Sequence, residues 1–170
     1  MKAFKLIASG LAAWVLLWPG SPVMADWQAN PDDKLQVLAA KAIDKVRNKV
    51  ERSAPYFEDA YAMAVWPGIT RVALGFGAAY GKGIVIEGDD AVGTVSYWQG
   101  SSGIQAGAKN FALVIFFKDK AALDDLKAGK IQFTGQAGID VATVGAAGTP
   151  AYNHGVALIP LTNLGLMAEF

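Results

Sequence analysis

The chain has no cysteine and only one histidine, His154, in 170 residues. The missing cysteine excludes disulfides, thiolate catalysis and a lipid-acceptor cysteine at the start of a mature protein. With a single histidine, no cysteine cluster or histidine pair remains for a transition-metal site. Charge of one sign is also missing. The 15 basic residues balance 15 acidic ones, so there is no global basic field for nucleic acid. Complete nucleotide motifs are lacking. Gly75-Phe76-Gly77 opens like a dinucleotide fingerprint, but Tyr80 holds its sixth position and the flanks read strand to strand. Gly77 to Lys82 is a residue short of a phosphate loop and has no Ser or Thr after the lysine. Ser101-Ser102-Gly103 lacks the glycine spacing of a nucleophile elbow. Glu87-Gly88-Asp89-Asp90 reads as an acidic hairpin turn, since no calcium-ligand spacing follows it. His154, between Asn153 and Gly155, reads as a turn residue. The expectation is a non-enzymatic protein without cofactor or metal.

What is present begins with an address. Lys2 and Lys5 precede the apolar run Leu6 to Trp18, and Pro19 to Ala25 breaks it before the small residues Val23 and Ala25. This is the pattern of a secretory signal peptide cleaved after Ala25. The run is shorter than the roughly 20 residues of a spanning helix. The expected mature chain, Asp26 to Phe170, is a single domain with a periplasmic or secreted location. Without Lys2 and Lys5 it carries 13 basic and 15 acidic residues, a net charge of −2.

The mature chain reads as helices followed by strands. Asn30 as N-cap, Pro31 at the first helical position and acidic Asp32 and Asp33 predict a helix running to about Arg52. Its apolar stripe is Leu35, Leu38, Ala39, Ala42, Ile43, Val46 and Val50. Tyr56 to Ala64 is a shorter predicted helix, stopped before Pro67-Gly68. The centre of the sequence is Arg71 to Ile86. Val72, Leu74, Phe76, Ala78 and Tyr80 alternate with Ala73, Gly75, Gly77 and Ala79. That period predicts a strand with its larger side chains buried and its small face close to another backbone or a bulky group. Gly81-Lys82-Gly83 interrupts the run as a turn or bulge. Gly83 to Glu87 and Val92 to Trp98 form a hairpin around Gly88-Asp89-Asp90. Gly103 to Ala108 alternates again with glycine. Phe111 to Phe117 is apolar throughout, as in a central strand covered on both faces. Asp119 caps a helix from Lys120 to Lys127 that ends at Gly129. Ile131 to Thr134, Gln136 to Ala142, Gly155 to Pro160 and Leu164 to Phe170 supply further short strands.

Two binding signals stand out. From Lys34 to Arg52 there are six basic and two acidic residues. This local excess of cations on an amphipathic helix is what anionic headgroups attract. Trp66, Tyr97 and Trp98 are the aromatic residues expected to be partly exposed, as amphipathic rings at an interface or pocket rim.

Leu74 to Ile86 (LGFGAAYGKGIVI), Gly100 to Phe117 (GSSGIQAGAKNFALVIFF), the helix start Ala121-Ala122-Leu123 and the closing LGLMAEF resemble the SYLF domain. This lipid-binding module is also found in actin-patch regulators and bacterial envelope proteins. The resemblance covers nearly all of the mature chain. It implies non-enzymatic binding of anionic phospholipid through an N-terminal amphipathic helix, here the helix carrying Lys34, Lys41, Lys45, Lys49 and Arg52. Trp66 and Lys82 are further lipid-binding candidates of this chain. An exported protein meets neither actin nor phosphoinositides, so envelope phospholipid takes their place.

The expected fold class is α+β. N-terminal helices and one inserted helix pack on a strongly curved, Gly-rich antiparallel sheet or small barrel. The alternatives are a structural cell-envelope protein binding another protein, and a carrier of an apolar ligand within the curved sheet. An outer-membrane barrel ranks last, because its strands need about 9–11 residues.

Overall fold

A computed structural model describes residues 27–50, 53–129 and 152–162. The elements are α1 (Lys34–Lys49), α2 (Ala54–Asp59), β1 (Ala62–Glu87), β2 (Asp90–Phe117), α3 (Lys120–Lys127) and β3 (Val156–Thr162). The class is α+β, as the sequence pattern predicts. The strands predicted at 131–134, 136–142 and 164–170 lie outside the described residues, as do Arg52 and the leader.

Helix α1 starts later than the sequence suggests. Asp33, not Asn30, is its N-cap, because the Asp33 carboxylate accepts from two backbone N–H groups, Leu35 at 2.9 Å and Gln36 at 3.2 Å. The Asn30 side chain accepts from Asp32 N–H and its carbonyl from Asp33 N–H, so Pro31 and Asp32 form a turn ahead of the helix. At the other end Ser53 Oγ donates to the Val46 carbonyl, which also accepts from the Val50 N–H that closes the last turn. Helix α2 has Pro55 in its first turn and stops at Asp59. The predicted extension to Ala64 is instead strand. Residues 62–66 find Phe117 to Leu113 as register partners, and their side chains alternate between two cores. Short apolar runs fit either period, and the tertiary partner decides.

Strands β1 and β2 form one long antiparallel ribbon, closed by a turn at Gly88-Asp89 with Gly88 at φ 61°. Strand β3 adds to β2 opposite Phe111–Phe117, giving the order β1-β2-β3. Among the described residues no strand pairing joins β3 to β1. Among the described residues the sheet is therefore open and does not close into a barrel. Gly81-Lys82-Gly83 does not interrupt the strand. The irregularities fall between Trp66 and Ile69, between Leu74 and Phe76, and between Val85 and Ile86. Pro67, which cannot donate to the ladder, occupies the first and Gly75 at φ 75° the second.

The ribbon doubles back on itself. A Cβ on Gly83 would lie 2.5 Å from the Val65 carbonyl oxygen, and one on Gly81 2.9 Å from the Gly68 carbonyl oxygen. Residues 81–83 therefore press on residues 65–69 of the same strand. Of the predicted small face, a Cβ on Gly77 would lie 3.4 Å from the Val72 carbonyl oxygen, whereas Gly75 has nothing within 4 Å.

Two cores flank the base of the ribbon. One joins Ala39, Ala42, Ile43 and Val46 of α1 and Tyr56 and Phe57 of α2 to Met63, Val65, Val114, Phe116 and Ile159. The other joins Ala122 and Leu123 of α3 to Trp66, Val85, Ile115, Phe117 and Leu158. Residues 113–117 are thus covered on both faces, as predicted. Asp119 caps α3 by accepting from Ala122 N, and Gly129 follows at φ 68°. The Tyr61 hydroxyl donates to Glu87, whose other oxygen lies 3.6 Å from Lys127 Nζ, so the hairpin turn is tied to α3.

Burial raises the phenol pKa of both Tyr97 and Tyr152, with Asp59 adding to the effect at Tyr152 and Arg71 opposing it at Tyr97. In the unfolded chain both phenols lose their protons near pH 10. Between that point and the raised folded values the unfolded state binds fewer protons, so stability falls as pH rises. The urea midpoint is expected to show this phenolic loss only above about pH 10. Tyr152→Phe should remove part of it. A midpoint unchanged well above pH 10 would contradict this assignment.

Candidate functional site

The charged helix is anchored by its apolar stripe. Ala39, Ala42, Ile43 and Val46 are buried, so α1 has no free apolar side with which to enter a bilayer. At about 100° per residue, Lys34, Leu38, Lys41, Lys45 and Lys49 fall on one flank beside that stripe. All five are exposed. Among the described residues no ion pair engages Lys34, Lys41, Lys45 or Lys49, even though Asp44 lies in the same helix. Among the described residues the row is positive charge without an ion-pair partner.

Arg47 occupies the other flank. Its guanidinium stacks 4.6 Å from the centre of the Phe57 ring and lines a cleft of about 280 Å³ with Ser53, Ala54 and Glu58. Lys82 is exposed on the ribbon, opposite Ser96. It belongs to a different element from the lysine row. Trp66 is not a surface residue. It is 1% exposed, packs edge-on against Tyr97, and its indole N–H finds no acceptor among the described residues. The register shift at Pro67-Gly68 follows Trp66 and leaves its ring inside. Tyr97 is buried too, with its hydroxyl donating to Gln99. Trp98, the next residue along the strand, points the other way and is 76% exposed.

The larger side chains of the central strand are also placed opposite to expectation. Leu74 is 80% exposed, Phe76 83% and Val72 51%, with Tyr80 beside them, while Ala73 and Ala79 are buried. Ala73 and Ala79 lie on the same side as Gly81 and Gly83, where the strand meets its own backbone and only small residues fit, while Gly75 at the irregularity is exposed. The larger residues are left on the outside. A signal for this lies in the partner strand. Register partners of Val72, Leu74, Phe76 and Ala78 are Ala108, Ala106, Ser102 and Gly100, none of which can seal a Phe or Leu. Tyr80 is paired with Trp98. Within residues 68–83 and 95–110 the charged residues are Arg71, Lys82 and Lys109, with no carboxylate.

Other candidates resolve into structure. Glu87 of the acidic turn is engaged by Tyr61 and Lys127. His154 is exposed at φ 50° in a two-residue turn closed by paired hydrogen bonds between Asn153 and Val156. That geometry suits Asn better than His. His154→Asn is expected to raise the urea midpoint slightly, equivalent to about 0.5 kcal/mol. A fall in the midpoint would argue for a contact made by the imidazole. Among the described residues no group of three or more His, Cys, Asp or Glu is placed to hold a metal, and no helix is long and apolar enough to cross a membrane.

No protein-family model, curated protein or solved structure matches this chain.

Proposed function

We propose that this domain is a non-enzymatic, peripheral binder of anionic phospholipid surfaces, with Lys34, Lys41, Lys45 and Lys49 as the headgroup contacts. One observation carries the reading: four exposed lysines form a row with no ion-pair partner among the described residues, on a helix whose residues Ala39, Ala42, Ile43 and Val46 are buried in the core. A helix so anchored meets a membrane from outside, through charge. The likeness of the Leu74–Ile86 and Gly100–Phe117 motifs to SYLF domains supports the same reading, and the signal-peptide pattern supplies envelope phospholipid as the surface.

Each lysine near an anionic surface contributes on the order of 1 kcal/mol. Changing all four to Gln is expected to weaken binding to phosphatidylglycerol vesicles by on the order of a hundredfold at physiological salt, after screening. The fold should stay intact, since all four side chains are exposed. Flotation with anionic and with neutral vesicles tests this. Equal flotation of wild type with both, or no loss in the variant, would remove the electrostatic account. Mass spectrometry of the exported protein should place its first residue at Asp26. A retained leader would contradict the proposed location.

A further inference from the structure

We propose that the outer face of the folded-back ribbon, Val72, Leu74 and Phe76 with Tyr80 and Trp98, is a second membrane contact that inserts into the interfacial layer of an anionic bilayer. This rests on the lipid reading above but concerns a different element. Exposed apolar patches on soluble domains mark binding surfaces, and here the arrangement identifies the occupant.

Going outward from Leu74 and Phe76 along one limb, the exposed residues run apolar, then Tyr80 beside Trp98, then Lys82. On the other limb Val72 ends the apolar run, and the cross-strand partners Arg71 and Lys109 beyond it lie on the opposite face, where Arg71 donates to Ser101. Apolar tip, amphipathic aromatics, then cations is the order a bilayer presents in reverse, from acyl chains through the interface to phosphate. The absence of any carboxylate in residues 68–83 and 95–110 fits an anionic surface. It disfavours a second copy as occupant, because a two-fold interface through this face would set Lys82 of both copies on a surface to which residues 68–83 and 95–110 bring no carboxylate.

The cysteine-free sequence makes the test direct. Phe76→Cys, carrying an environment-sensitive fluorophore, is mixed with vesicles of phosphatidylglycerol and phosphatidylcholine. Ala121→Cys, on the exposed side of α3, serves as control. Flotation is scored on the same samples. The expected result is a blue shift at position 76 and none at 121. In parallel, Leu74→Ser with Phe76→Ser should bind these vesicles at least about 10-fold more weakly while keeping the wild-type urea midpoint. A protein that floats while the label at 76 stays in water overturns ribbon insertion and leaves the lysine row standing. A protein that does not float overturns both. A blue shift without vesicles also overturns the proposal. If it grows with protein concentration the occupant is a second copy, and if it does not the chain itself covers the face.

Discussion

Gly83→Val is expected to cost at least about 4 kcal/mol of folding stability, a large part of the 5–15 kcal/mol that holds a domain together. Even the first carbon of the new side chain would stand 2.5 Å from the Val65 carbonyl oxygen and 2.9 Å from the Trp66 ring. Neither neighbour can yield cheaply. Val65 is strand backbone, and Trp66 is packed in the core at 1% exposure. Overpacking of a close-packed interior ordinarily costs about 1–3 kcal/mol, and a clash with backbone adds to that. Gly100→Val is the matched control. Its position is an exposed strand site with nothing within 4 Å of the added carbon. It should change stability by less than about 0.5 kcal/mol. Urea unfolding followed by circular dichroism separates the two. Equal midpoints would mean that residues 81–83 do not press on residues 65–69.

The second large effect is at Phe116. Phe116→Ala is expected to destabilise the domain by about 4 kcal/mol. The side chain is fully buried and is the meeting point of three elements. Its ring centre lies 4.9 Å from that of Phe57 in an edge-on contact and 5.5 Å from that of Tyr56, both on α2, while β2 holds it over the α1 stripe. Removing it leaves a cavity under two helices as well as losing apolar burial. Trp98→Ala removes a larger side chain from the surface, so its stability cost should stay below about 0.5 kcal/mol. A small loss at Phe116, or a large one at Trp98, would reverse the assignment of inside and outside on β2.

Much of the base was readable in advance. Residues 111–117 are apolar at every position and rich in Phe, Val and Ile, which favours a strand covered on both faces. Asp119 and Gly129 bracket α3 with an N-cap and a left-handed end, local chemistry that needs no tertiary partner. Harder to read were choices made between near-equals. Asp33 displaced Asn30 as cap by accepting two N–H groups. Residues 62–64 became strand because Phe116 and Phe117 were available to pair. The outward face of residues 72–80 was misread, because alternation gives the period of a strand but not which side is inside. The small face won burial when the ribbon folded onto its own backbone. Trp66 was misread for a related reason, since a ring before Pro-Gly looks like a loop residue until the strand closes over it. Of the lysine row, the positions of Lys34, Lys41, Lys45 and Lys49 on one helix were evident from spacing. That none of them has an ion-pair partner among the described residues was not.

The central claim is that charge on α1 draws this domain to an anionic membrane, which the outer face of the ribbon then enters. Binding of the processed protein to phosphatidylglycerol vesicles, measured from low to high salt beside neutral vesicles, addresses it most directly. The account predicts that anionic binding falls steeply with salt and levels off at the weak, salt-insensitive binding seen with neutral vesicles. Binding that is the same at every salt concentration and for both lipids, or absent from both, would contradict it.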